Sequence, residues 1–255
     1  MRLITEAALR AGLAKGLPNP YPVEEGVKLT PAAADFLRSR GIRVERTAAA
    51  DFRATPPIGR TIPVGVSGRH IHLSEPHVEA LFGAGAKLTV QRELSQPGQF
   101  AAKETVTLAG PKGVLRNVRV LGPARGATQA EISRTDGFAL GVQPDLRLSG
   151  DLAGTSGIAV IGPCGMLALR EGLIAARNHV HMSVDEAAAF GVKHGDRLLV
   201  QTVSSARPVI FPEVIVRVHE RFALELHLDT DEANAAGLAT GDAVRMVGIN
   251  GVYTG

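Results

Sequence analysis

The chain has 255 residues, 28 Lys and Arg against 25 Asp and Glu, 29 Gly, 15 Pro and no Trp, which suits one large or two modest turn-rich β domains better than a helical bundle. No apolar run approaches the roughly 20 residues that span a bilayer, and the N-terminus lacks the apolar core of a secretory signal. Its basic residues are dispersed and lack aromatic platforms, so neither membrane nor nucleic acid is an expected partner.

Residues 3–15 place apolar side chains at helical spacing, and the prolines of "LPNPYPVEEG" end that helix. A second helix is predicted over 30–40, where Thr30 caps, Pro31 takes the first helical position and Gly41 follows the end. Residues 44–60, rich in Ala, Thr and Pro, read as a linker. The first sixty residues are thus an appendage, either an arm packed on the body or a partner subunit, or a targeting segment. From Thr61 short strands take over: "TIPVGVS", "KLTVQREL", "ETVTLAG", "GVLRNVRVLG" and "QAEISR", with "GPKG" (110–113) as a turn. A second set follows: "GIAVIGP", "LIAARNHVHM", "DRLLVQTV", "PVIFPEVIVRV", "ALELHLD" and "DAVRMVG". Short strands with few helices indicate barrels or sandwiches, and no nucleotide-binding glycine loop opens a helix. Cys164, the only cysteine, lies in a "GPCG" turn, excludes an intramolecular disulfide, fits a reducing compartment and reads as a buried or incidental thiol rather than a nucleophile.

An internal repeat organises the body. "HMSVDEAAAFGVKHGDRLLV" from His181 and "HLDTDEANAAGLATGDAVRM" from His227 share a strand ending in His, a capped Asp-Glu-Ala helix start and a Gly ten positions after the His. "HLSEPHVEALFGAGAKLTV" from His72 is a looser third copy, so a duplicated barrel is expected. Residues i and i+2 of a strand face the same side. His70 and His72 therefore converge, as do His179 and His181, and His227 adds a fifth imidazole. One H-x-H pair alone is more often two ordinary histidines. Two matched pairs with a third matched His point to metal, because neutral imidazole is the commonest zinc ligand. His77 and His194 read as surface residues, and His219 has no matching context.

Glu131, between Ala and Ile in a predicted strand, is either solvent-facing or a buried acid in need of a cation. Arg125 lies just upstream in a Gly/Pro loop; guanidinium matches phosphate geometry, although a loop Arg is usually just exposed.

The motifs "IPVGVSGRHIHLS", "QPGQFAAKETVTLAGPKG", "NVRVLGPARGATQAEISRTD", "LRLSGD", "HVHMS" and "LELHLDTDEANAAG" together resemble the PduL-type phosphate acyltransferases, the phosphotransacylases of bacterial microcompartments, over about residues 61–247. The resemblance implies two similar β-barrel domains, expected here at 61–160 and 161–255, with the partly helical arm over 1–60. It also implies two zinc ions, one on His70, His72 and Glu131, the other on His179, His181 and His227. Arg125 would bind phosphate, and coenzyme A would meet Val66, Ser67, Gly68, Lys112, Arg119 and Asn234. The implied reaction is acyl-CoA, typically propanoyl-CoA, plus phosphate giving acyl phosphate plus CoA, reversibly. The microcompartment lumen or the cytoplasm is the implied location, with shell or lumen proteins and further copies of the chain as partners. Asn178 departs from the pattern, which usually has a basic residue before the second H-x-H. The competing readings are a dinuclear hydrolase of the amidohydrolase kind, which lacks its βα alternation here, and a noncatalytic scaffold.

Overall fold

The structure, a computed structural model, describes residues 3–13, 16–24, 27–47, 61–203 and 205–253. Residues 1–55 and 56–255 form two compact units. In the first, β1 (Leu3–Ile4), α1 (Glu6–Gly12), β2 (Tyr21–Glu24), β3 (Lys28–Leu29), α2 (Pro31–Ser39) and β4 (Val44–Thr47) follow in order. Two short parallel ladders result, β1 with β3 and β2 with β4. The Thr30 hydroxyl accepts the Ala33 N–H at 3.2 Å at the start of α2, as the Thr-Pro signal predicts. Leu9, Ala33, Phe36 and Leu37 bury one another, so this arm is a small folded unit with its own core. The predicted linker begins as a strand, Val44–Thr47, because its residues pair with Tyr21–Glu24; residues 48–60 lie outside the described residues.

The second unit opens with β5 (Thr61–Ser67) and β6 (His70–Ser74). Then come α3 (Glu75–Phe82), β7 (Val90–Glu93), β8 (Phe100–Ala109), β9 (Val114–Arg125), β10 (Gln129–Glu131) and α4 (Arg134–Leu140). After β11 (Asp145–Arg147), β12 (Ser156–Ile161) and β13 (Met166–Ala176), the chain runs through β14 (His179–Met182), α5 (Val184–Phe190) and β15 (Arg197–Thr202). It continues with β16 (Ile210–Val218), β17 (Glu225–Asp229), α6 (Thr230–Ala236), β18 (Ala243–Ile249) and β19 (Val252–Tyr253).

These strands make two closed six-stranded barrels. The first runs β10-β6-β9-β8-β12-β13 and closes between β13 and β10; the second runs β17-β14-β16-β15-β18-β5 and closes between β5 and β17. Parallel and antiparallel pairs follow the same order around both rings: β6–β9 and β14–β16 are parallel, as are both closures, and the other four pairs of each ring are antiparallel. The fold is thus mainly β and duplicated. A cut at 160/161 does not separate the barrels. β12 and β13 form a hairpin within the first, which extends through Ala176, and β5 pairs in the second with β17 and β18. The interior pairing of "TIPVGVS" is thus with strands some 160 residues or more downstream, which local pattern cannot register.

Alternation along each strand fills the cores. In β6, Ile71 and Leu73 point inward with Val118, Val120 and Leu173; in the second barrel Ile62, Val64, Val180, Leu226 and Val244 do the same. Each such side chain contributes roughly 1.5–3 kcal/mol on burial. Because the core takes the second and fourth members of "HIHLS", the histidines are left to the opposite face.

Candidate active site between the barrels

One cavity of about 820 Å³ is lined from both barrels, and it receives all five predicted ligand histidines together with Glu131 and Arg125. The chain passes between the barrels twice, from β5 to β6 and from β13 to β14, and each H-x-H pair begins the strand that follows a two-residue crossing. The crossing segments also orient the rings. His70 Nδ1 lies 2.8 Å from the Gly68 carbonyl, and His179 Nδ1 lies 2.7 Å from the Arg177 carbonyl. A carbonyl only accepts, so Nδ1 carries the proton in both rings and Nε2 presents a lone pair to the cavity.

In the first barrel β6 runs antiparallel to β10 with His70 opposite Glu131. His70 Nε2 is 3.6 Å from Glu131 Oε2, and His72 Nε2 is 3.9 Å from Oε1. The three residues bring their ligand atoms within 4.8 Å of one another, and all are buried. The carboxylate also accepts a short hydrogen bond from Gln129. Burial alone would raise the pKa of Glu131, but His70, His72 and His179 around it prevail and hold it below the usual carboxylate range. Burial opposes the charge on His70, yet the adjoining Glu131 raises its pKa; burial lowers that of His72.

The second barrel repeats the arrangement with one exchange. β14 runs antiparallel to β17 with His179 opposite His227, so an imidazole stands where the first barrel has Glu131. The three ring centroids are 4.6–5.0 Å apart. His179 and His227 stack with their planes 4° apart. Among the described residues this trio does not reach the tight spacing of the first set. Two residues before His227, Glu225 occupies the position that Gln129 holds before Glu131, and its Oε2 lies 3.1 Å from His227 Nε2. Each set therefore contains one carboxylate. Burial, then the charge of His227, lowers the pKa of His179 to about 4; burial likewise lowers that of His181. The rings of His179 and His181 thus have reason to stay neutral, with lone pairs free for a metal.

The donor sets fit divalent cations. Among the described residues neither buried ring nitrogen of His181 has a hydrogen-bond partner, an omission that costs about 1–3 kcal/mol per group unless something else binds there. Imidazole and carboxylate together suit zinc.

Of the other predicted contacts, Val66, Ser67, Gly68 and Arg119 line the cavity, whereas Lys112 and Asn234 do not. Lys112 is exposed on the "GPKG" turn, where its N–H donates to the Leu140 carbonyl, and Asn234 is exposed on α6. Arg119 donates to the carbonyls of Ala102 and Lys103, both at 2.9 Å. Arg125 donates to Ser149 Oγ at 3.3 Å, and its pKa is lowered chiefly by burial. His77, read as a surface residue, is half-buried, with Nδ1 2.7 Å from Thr128 Oγ1; His194 is exposed. Cys164 is exposed and off the cavity wall.

Sequence reasoning did not single out Arg217, Glu225 or Gln129, all placed in or beside the site by strand register with the histidines. A fourth repeat copy was also there to be read. Glu131-Ile-Ser133 precedes a capped helix and Gly141, ten positions after Glu131, as Gly191 follows His181 and Gly237 follows His227.

The phosphate propanoyltransferase family model matches residues 63–239. The chain belongs to the phosphate propanoyltransferase family. It is an acyltransferase of this family, and the matched span contains both histidine sets. Curated relatives carrying that name include one from Thermotoga maritima, 58% identical over 73% of this chain and 89% of its own length. Others come from Rhodobacter capsulatus, 50% identical over 78% and 92%, and Priestia megaterium, 54% identical over 71% and 83%. No helix among the described residues is long and apolar enough to cross a membrane.

Proposed function

We propose that the chain is a two-zinc phosphotransacylase that converts a short-chain acyl-CoA, propanoyl-CoA first among candidates, and phosphate into acyl phosphate and CoA, reversibly. The observation that carries this reading is the facing of two matched ligand sets, one with Glu131 and one with His227, across a cavity that also receives Arg125. His70, His72 and Glu131 hold one zinc; His179, His181 and His227 hold the other. Bound there, zinc supplies Lewis acidity toward oxygen and sulfur and positive charge that offsets the anionic substrates.

The remaining steps belong to the chain's own side chains. Arg125, fixed by Ser149, binds phosphate and orients one oxygen toward the thioester carbonyl carbon, so the rate gain is largely one of positioning. That oxygen forms the new C–O bond as the C–S bond breaks, and the electron pair leaves with the CoA sulfur. No acyl-enzyme intervenes, because Cys164 is off the cavity wall and, among the described residues, no histidine bonds the Ser67 hydroxyl. The CoA chain enters along Val66, Ser67 and Gly68 past Arg119, and its far end reaches over the surface to Lys112 and Asn234. Association of further copies, and contacts of the N-terminal unit with shell or lumen proteins of a microcompartment, belong to the same reading; the cytoplasm is the alternative location.

The test is CoA release from propanoyl-CoA with and without phosphate, alongside metal analysis of the purified protein. Strict phosphate dependence with two equivalents of zinc is expected. Release without phosphate would instead indicate a dinuclear hydrolase, and no turnover by zinc-replete protein would indicate a scaffold.

A further inference from the structure

Arg217 sits on β16 directly beside His181 in the parallel β14–β16 ladder, half-buried, and its side chain lines the central cavity. Its guanidinium makes no hydrogen bond or ion pair with any described residue. Its Cζ lies over the Phe222 ring, 6.0 Å from the centroid, and that ring stacks in turn on His181 at 4.1 Å. Arg125 approaches the same space from the first barrel with a single bond to Ser149.

Two guanidinium groups in one partly desolvated cavity repel each other, and burial disfavours the charge on both. Glu131 attracts each of them, but it is already engaged by His70, His72 and Gln129. Arg217 thus brings to the cavity wall a guanidinium that makes no hydrogen bond or ion pair among the described residues, with up to five N–H donors available to a ligand. Such an arrangement suits a multiply charged oxyanion, which guanidinium groups grip through paired hydrogen bonds.

We propose that Arg217 is the second arginine of the phosphate subsite, gripping with Arg125 the inorganic phosphate of one direction and the phosphoryl group of acyl phosphate in the other. Depth in the cavity favours this anion over the phosphates of CoA. Arg217 lies at the level of His181, within the ligand set where the thioester reacts, whereas the long pantetheine arm keeps the CoA phosphates far from its sulfur. The two barrels then contribute one anion-binding arginine each, although the residues come from different positions of their strands: Leu121, not Arg125, is the register partner of His72.

The inference rests on the phosphotransacylase reading, and the experiment separates the two. Phosphate-dependent turnover by the wild type tests that reading alone. In Arg217→Gln, KM for phosphate and for acyl phosphate is expected to rise about 10- to 100-fold while KM for acyl-CoA and CoA stays within about threefold, a loss of the size seen when a charged hydrogen bond is removed. Arg217→Lys, keeping the charge but not the planar fork, should recover part of the loss. Calorimetric titration of inorganic phosphate into zinc-loaded wild type and both variants, with zinc content and melting curves matched, gives the answer without turnover. Unchanged phosphate affinity in the variants, or a rise in KM confined to CoA, would overturn the proposal.

Discussion

Asn178 Nδ2 donates to Glu232 Oε1 at 3.0 Å in the place where the first barrel sets Arg69 against Asp136 at 2.8 Å. Each pair links the residue before an H-x-H to the third residue of a helix, α6 in one case and α4 in the other. Only the first pair is ionic. Without a cation, burial first, and then the neighbouring Asp229, raises the pKa of Glu232 to about 7.

A raised carboxyl pKa means that the folded state holds its proton more tightly than the unfolded one. The associated stability is present below the unfolded value near 4.5 and is lost as pH rises through about 7. Asn178→Arg restores the cation and lowers that pKa. The variant should match wild-type stability near pH 5 and exceed it by about 1–3 kcal/mol at pH 8. Paired urea melts at the two pH values check this; a gain that is equal at both would refute the assignment to Glu232.

Among the described residues neither buried ring nitrogen of His181 has a hydrogen-bond partner, so its removal should cost no hydrogen bond and act first on metal. His181→Ala is expected to bind one equivalent of zinc instead of two and to lose at least about 10²-fold in kcat/KM. His72→Ala should do the same at the other set. Metal analysis after dialysis, with circular dichroism as a control, distinguishes a lost site from a lost fold.

Gly65 stands opposite His227 in the β5–β17 ladder, and a Cβ there would come within 2.6 Å of the Glu225 carboxyl. That carboxyl is the flexible end of a side chain, so Gly65→Ala should push it aside without unfolding the barrel. The displaced group leaves His227 and the Ser95 hydroxyl that bonds it. Activity is expected to fall about 10-fold or more while the melting temperature shifts by only a few degrees. A crystal structure of the variant should show Glu225 in a new rotamer.

Ser183 and Glu186 form a reciprocal capping box at the start of α5, with both bonds made. Ser183→Ala should cost about 1 kcal/mol of stability. Thermal melts would show this as a drop of roughly 2–4 °C for a body of this size; no change would mean that the box adds nothing here.

The histidine sets were legible because strand periodicity fixes which residues share a face, and because the repeat copies from His181 and His227 preserve His, cap and Gly at constant spacing. The copy from Glu131 was harder to see. Replacing His by Glu removes the letter that flags the repeat while keeping its geometry, and Ser133 ends the strand early: "QAEISR" contributes three strand residues before α4 begins. Arg217 and Glu225 became visible only through pairing between strands distant in sequence. The same limit hid the true extent of each barrel, since the membership of β5 is decided by β17 and β18, not by its own pattern.

That membership has a consequence for how the protein comes into being. Synthesis delivers β5 at the start of the body, yet its two partners emerge last. The first barrel can close once Ala176 has appeared, whereas β5 must wait as an unpaired apolar edge until the C-terminal strands arrive. Nascent chains stalled before β17 therefore carry a finished half-site together with an exposed strand that invites pairing with a neighbour.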